Sequence, residues 1–302
     1  MSALKGLFAR VALLLAASAW GAGLSFTAAD AQTAYETAAG LVKACTPRNA
    51  GTPEGLRAAA WIRDRAVAAG VPAKLDAFTA AVNDGEASFA NVVAELPGSD
   101  PAAPWIVLMS HFDTAPNAGK GFEGANDGAS TCGLLLALGQ AVRRAAPGRL
   151  NVLLAWTDAE ECRVKYGPRD GFQGSRRLLR YLRERGRTVR AAICLDMLGD
   201  RDLDIIIPAN SDPRLVRLAL QAAQATGFER IRYRDDIAVK DDHSAFHDAG
   251  LPALDLIDFE FGRAPGLNDY WHTPQDTLDK ISRASLLASG RLAAELVRLL
   301  QR

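Results

Sequence analysis

The run NVLLAWTDAEECRVKYGPRDGFQGSR, residues 151–176, places Glu160 directly beside Glu161 at the end of an apolar, strand-like segment. Adjacent carboxylates repel, and neither is readily buried without a cation or a proton. Other ionisable residues occupy comparable places. SHFD ends a short apolar run with His111 and Asp113, GANDGAS carries Asp127, and LDMLGD carries Asp196. Further along come Asp241-Asp242-His243 and Tyr270-Trp271-His272-Thr273. Taken singly, each has an ordinary reading: a hydrogen-bonding histidine after a strand, Asp127 as a helix cap, Asp196 as a turn former. Taken together, two of only four histidines join carboxylates at the strand and loop ends of one expected sheet. Imidazole with carboxylate, and no required thiolate, suits a zinc site that keeps an open position; such a set also accepts other divalent ions. Neighbouring side chains at a strand end point apart, so Glu161 can face the metal while Glu160 faces a substrate. Glu160 is then free as a general base and acid, a role worth roughly 10²–10⁴-fold in rate. Asp113 supplies a carboxylate that can orient the His111 imidazole on a metal.

The rest of the chain reads as a scaffold for these positions. Helical apolar spacing covers residues 34–45, 53–69, 131–144, 172–185, 213–225 and 284–300. Strand-like runs cover 73–80, 90–96, 105–109, 150–156, 191–195, 203–207 and 252–257. Alternation of the two predicts a single α/β domain with a mostly parallel central sheet flanked by helices. Ligands then gather beyond the carboxyl ends of the strands, where the residues above fall. Asp276 and Asp279, in TPQDTLDK, read as helix-start chemistry. The chain has 302 residues, and its 35 Lys plus Arg balance 35 Asp plus Glu. That balance supplies no basic field for nucleic acid or an anionic membrane. Lys5 and Arg10 precede a short apolar run at 11–24, and Ala29-Asp30-Ala31 offers small residues for cleavage. The expectation is a signal peptide over 1–31, a catalytic domain over 32–302, export to the periplasm or beyond, and no stable membrane anchor. Cys45, Cys132, Cys162 and Cys194 follow no CxxC spacing, and their pairing is not readable from sequence.

In order, NVVAELPG, SHFD, GANDGAS, DAEE, LDMLGD, DDHSAF and YWHTPQDTLD resemble the zinc aminopeptidase family that also contains the glutaminyl-peptide cyclotransferases. The resemblance covers roughly residues 90–290 and implies that family's fold, with peptide or protein N-termini as substrates. For an aminopeptidase it implies two zinc ions: His111 and Asp196 on opposite metals, Asp127 bridging, and Glu161 and His272 completing the sets. For a cyclotransferase it implies one zinc on Asp127, Glu161 and His272, with Glu160 shuttling a proton among Asp196 and Asp242. The long stretch CRVKYGPRDGFQ with its Tyr166, the Trp271-His272 pair and the Asp241-Asp242-His243 triplet resemble the cyclotransferase branch, with Trp271 and Tyr166 walling the substrate pocket. A broad aminopeptidase is the alternative. A silent binding module on the same fold would be expected to have lost ligands, and here every position is filled. Animal-type cyclotransferases pair the cysteine matching Cys132 with the residue before the first histidine; here that residue is Ser110, so that disulfide is not expected.

Overall fold

The structure is a computed structural model that describes residues 23–83 and 85–302. Eight strands form one mixed sheet in the order β1-β2-β4-β3-β5-β8-β6-β7. They are β1 (Ala73–Val82), β2 (Gly85–Leu96), β3 (Trp105–His111), β4 (Asn151–Thr157), β5 (Val189–Asp196), β6 (Ile205–Pro208), β7 (Ile231–Arg234) and β8 (Ala253–Ile257). At the centre β4, β3, β5 and β8 run parallel. The expected mostly parallel α/β domain is therefore present, with an antiparallel hairpin, β1 and β2, added at one edge.

The central strands have no polar face because both sides are covered. Every residue of β3 and β4 is buried. Val107, Met109, Leu153 and Ala155 face one layer, formed by α4 (Gln173–Glu184) and α6 (His243–His247). Ile106, Leu108, Val152, Leu154 and Trp156 face the larger layer. That layer holds α1 (Ala28–Cys45), α2 (Pro53–Ala68), α3 (Thr131–Arg144), α5 (Pro213–Thr226) and α7 (Arg283–Leu300). Two elements were not expected. β7 reads IRYR, too polar for a strand pattern, because it is a partly exposed edge strand; α6 is a five-residue turn of helix.

The start of α1 bears on the leader. Residues 1–22 of the expected signal peptide lie outside the described residues. Its remaining stretch is part of the folded domain. Thr27 caps α1 in a reciprocal capping box with Asp30. Both Asp30 oxygens accept from Arg144 Nη2, at 2.8 and 2.9 Å. Phe26 is buried against Gly290, where an added Cβ would lie 2.2 Å from the Phe26 ring, so only glycine admits that ring. A boundary at Ala31 cuts α1 after its fourth residue and removes all three contacts. We propose that any leader ends upstream of Phe26. A chain beginning at Gln32 should unfold in urea with a stability at least about 3 kcal/mol lower than one beginning at Gly23, from the lost cap and the lost aromatic burial. Equal midpoints would restore the later boundary. Among the described residues no helix is long and apolar enough to cross a membrane.

Candidate active site

Parallel alignment brings the ends of β3, β4, β5 and β8 to one edge of the sheet. His111 is the last residue of β3 and Asp196 the last of β5, while Glu160 and Glu161 follow β4. Asp127 sits in the turn before α3 with φ −78° and ψ 94°, outside helical geometry, so it does not cap that helix. Gly128 beside it has φ 90°, and a Cβ there would lie 3.0 Å from His111 Cε1. Only glycine meets both conditions. Four non-glycine residues in the left-handed region cluster here as well: Ala159 before Glu160, Phe172 at the start of α4, Met197 after Asp196, and His272 itself. Such conformations cost of order 1–3 kcal/mol each and persist where the surroundings fix them, commonly at functional sites.

The side chains converge as two sets that share one residue. His111 Nε2 lies 3.0 Å from Asp127 Oδ1 and 3.2 Å from Asp196 Oδ1. His272 Nε2 lies 3.3 Å from Asp127 Oδ2 and 2.8 Å from Glu161 Oε1. In each set the three ligand atoms fall within 4.8 Å of one another, so His111 and Asp196 share one set rather than serving opposite metals as expected. Asp127 Oδ2 is buried and accepts no hydrogen bond. Burial alone would raise the Asp127 carboxyl, but His111 and His272 hold it well below the usual range. Burial alone would lower His272, but Asp127 and Glu161 push it up to about 10. Both sets thus draw positive charge to their centres, and their nitrogen and oxygen donors fit zinc or a similar divalent ion. Tyr166 donates its hydroxyl to Glu161 Oε2 at 3.0 Å, and Trp271 stacks on the His272 ring at 4.0 Å. Both aromatics line a pocket of about 280 Å³ over these ligands, with Phe172 and Phe259 as further walls. Glu160 lies in the same pocket, its carboxyl pushed well above the usual value by burial and by Glu161 beside it.

Three supporting roles differ from expectation. Asp113 is 3.6 Å from His111 Nδ1, too long for a hydrogen bond. Its oxygens instead accept the backbone N–H groups of Glu160 and Glu161, both at 3.1 Å, and so fix the two adjacent carboxylates. Asp242 does not reach the pocket. It is fully buried, accepting from the Thr157 hydroxyl, and Asp241 takes the pocket wall in its place. Consecutive residues entering α6 point in different directions, so only one of the pair can face the ligands. Asp276, read as helix-start chemistry, is buried and accepts from the N–H groups of Asn126 at 2.7 Å and Asp127 at 3.1 Å. Asp279 stays near the surface, paired with Lys280. Arg48 carried no signal in the sequence. It is fully buried and donates to the carbonyls of Phe112, Glu123 and Gly124, bracing the segments on either side of the ligands. All four cysteines are free; Cys132 Sγ lies 3.1 Å from the His111 carbonyl, and Ser110 donates to Thr131 Oγ1 at 2.9 Å.

Carboxylate and imidazole sets sharing one aspartate, at the carboxyl edge of a mostly parallel sheet, define a zinc-aminopeptidase-like α/β protein. The chain belongs to peptidase family M28, whose family model matches residues 91–297. It is 31% identical over 265 residues to the Bos taurus glutaminyl-peptide cyclotransferase-like protein, covering 76% of this chain and 66% of that one. With the Drosophila melanogaster glutaminyl-peptide cyclotransferase it shares 28% over 232 residues, 67% of this chain and 62% of the relative. The chain thus spans just under two thirds of the length of the curated relatives it matches. Among solved structures, an Acidobacteriales bacterium glutaminyl cyclase superposes with a TM-score of 0.81 at 35% identity, covering 90% of this chain and 94% of that one. A leucine aminopeptidase precursor from Bacteroides thetaiotaomicron shares the fold, with a TM-score of 0.78 at 24% identity over 91% and 97%. The resemblance to this family and the expected fold are borne out.

Proposed function

We propose that the protein is a zinc-dependent glutaminyl-peptide cyclotransferase, converting an N-terminal Gln to pyroglutamate with release of ammonia. One observation carries the reading: Glu160 shares an aromatic-walled pocket, sized for a single residue, with the set Asp127, Glu161 and His272. Zinc held by that set supplies, when bound, a Lewis acid for the side-chain amide carbonyl. Tyr166, Phe172, Phe259 and Trp271 wrap the apolar stem of the glutamine and keep water from the reacting carbon. The α-amino nitrogen attacks the side-chain carbonyl carbon, and Glu160 takes the proton that nitrogen loses. Glu160 then gives that proton to the departing amide nitrogen, so a C–N bond forms, a C–N bond breaks and ammonia leaves. A carboxyl raised by burial is suited to holding a proton between the two steps. Asp241 on the same wall, with Asp196, is the acidic neighbour of Glu160 in that transfer. The relatives bearing the cyclotransferase name support the reading. Export by the N-terminal leader belongs to it, since the substrates would be secreted peptides or proteins.

A second reading has its own support. The set His111, Asp127 and Asp196 is as complete as the first, as a two-zinc aminopeptidase requires. The test is a Gln-initiated peptide incubated with zinc-loaded protein and read by mass spectrometry. Loss of ammonia from an intact chain is expected. Free Gln with a shortened peptide would establish the aminopeptidase, and an untouched peptide would sink both.

A further inference from the structure

The catalytic pocket does not end at Tyr166. A second cavity of about 650 Å³ adjoins it, and Tyr166, Phe172, Ala238, Val239 and Lys240 line both. Under the cyclotransferase reading the inner pocket is filled by one residue. The peptide must leave it by some route, and the shared wall leads into the outer cavity.

Charge in that cavity favours one sign. Lys240 is exposed and, among the described residues, forms no ion pair or hydrogen bond. Arg176 donates to the carbonyls of Gly167, Pro168 and Gly171, which are neutral acceptors, and feels the Asp242 and Asp248 carboxylates only through space, so Lys240 is the freer of the two cations. Against these two cations the described lining holds a single carboxylate, Asp248, with Ser244, Asn210 and His247 as its polar remainder. From the continuity of the two cavities and this balance, we propose that the outer cavity holds residues two to four of the substrate peptide and favours an acidic side chain there. The inference rests on the cyclotransferase reading and adds its sequence preference.

The test compares Gln-Ala-Glu-Ala with Gln-Ala-Lys-Ala, using glutamine amide as a reference too short to reach the outer cavity. In low salt the acidic peptide should show kcat/KM about three- to tenfold higher, expressed in KM, because a charge near a cavity rim steers and holds an opposite charge. High salt should shrink the ratio by screening. Lys240→Glu should bring the ratio to one or below, and Lys240→Gln to an intermediate value. Equal rates in the native protein, with glutamine amide converted, would overturn the subsite alone. So would a preference that survives Lys240→Glu, since the recognition would then lie elsewhere. Glutamine amide left untouched would remove the cyclotransferase reading and the subsite with it.

Discussion

Glu160→Gln should lower the rate of ammonia release by roughly 10²–10⁴-fold while leaving bound metal and thermal unfolding close to those of the native protein. The amide is nearly the same shape, and the backbone N–H of residue 160 remains held by Asp113 Oδ1. What is lost is the ability to accept a proton from the attacking amine and return it to the leaving nitrogen. The pH profile gives an independent check. In the metal-free protein burial and the neighbouring Glu161 raise the Glu160 carboxyl, and only its ionised form can take the proton from the amine. The native enzyme should therefore show an acid limb, and the residual rate of the variant should lack it. A variant that keeps its rate would move the proton transfer to another group. Loss of metal together with rate would instead make Glu160 a ligand.

The positions of His111, Asp127, Glu161 and Asp196 were legible because the strands before three of them are short, unbroken apolar runs. A parallel sheet buried on both faces demands such runs, and their ends are where ligand chemistry must fall. Glu160 beside Glu161 was legible as an electrostatic anomaly. Arg48 and Asp276 were not legible, because their work is done on backbone groups far away in the chain. Asp276 holds the N–H groups of residues 126 and 127, and Arg48 holds carbonyls at 112, 123 and 124. No local pattern encodes a hydrogen bond to a distant carbonyl. Which of Asp241 and Asp242 lines the pocket was not legible for another reason: in two adjacent aspartates, composition is identical and only the phase of the turn into α6 decides it. The stretch expected to hold the leader boundary carries two competing signals. Small residues suited to cleavage are also good helix formers, and Thr27 with Asp30 is an N-cap signature that competes with the same stretch.

Asp127→Asn should strip metal from both sets at once, and activity should fall by at least about 10³-fold, the scale of losing an activated, oriented electrophile and its ligand charge. Asp127 is the only residue common to the two sets, with Oδ1 toward His111 and Oδ2 toward His272. Asparagine keeps one oxygen but loses the charge and turns a donor toward one imidazole. His111→Ala separates the two functional readings, since it removes a ligand from one set only. Under the cyclotransferase reading it keeps one metal per chain and most of the activity, whereas a two-zinc enzyme loses a metal and its peptidase activity. The metal-free protein offers a third check on the same contacts. His272 is raised from 6.5 to about 10 in the folded state, against burial, by Asp127 and Glu161. A raised imidazole pKa stabilises the fold fully below the unfolded value and ceases to do so as pH rises through the folded one. Apoprotein stability measured by urea unfolding should therefore decline between about pH 6.5 and 10. Asp127→Asn, which removes one of the two carboxylates that raise His272, should flatten that decline. An unchanged slope in the variant would mean that His272 is charged for some other reason, and that the shared aspartate is not the centre of the site.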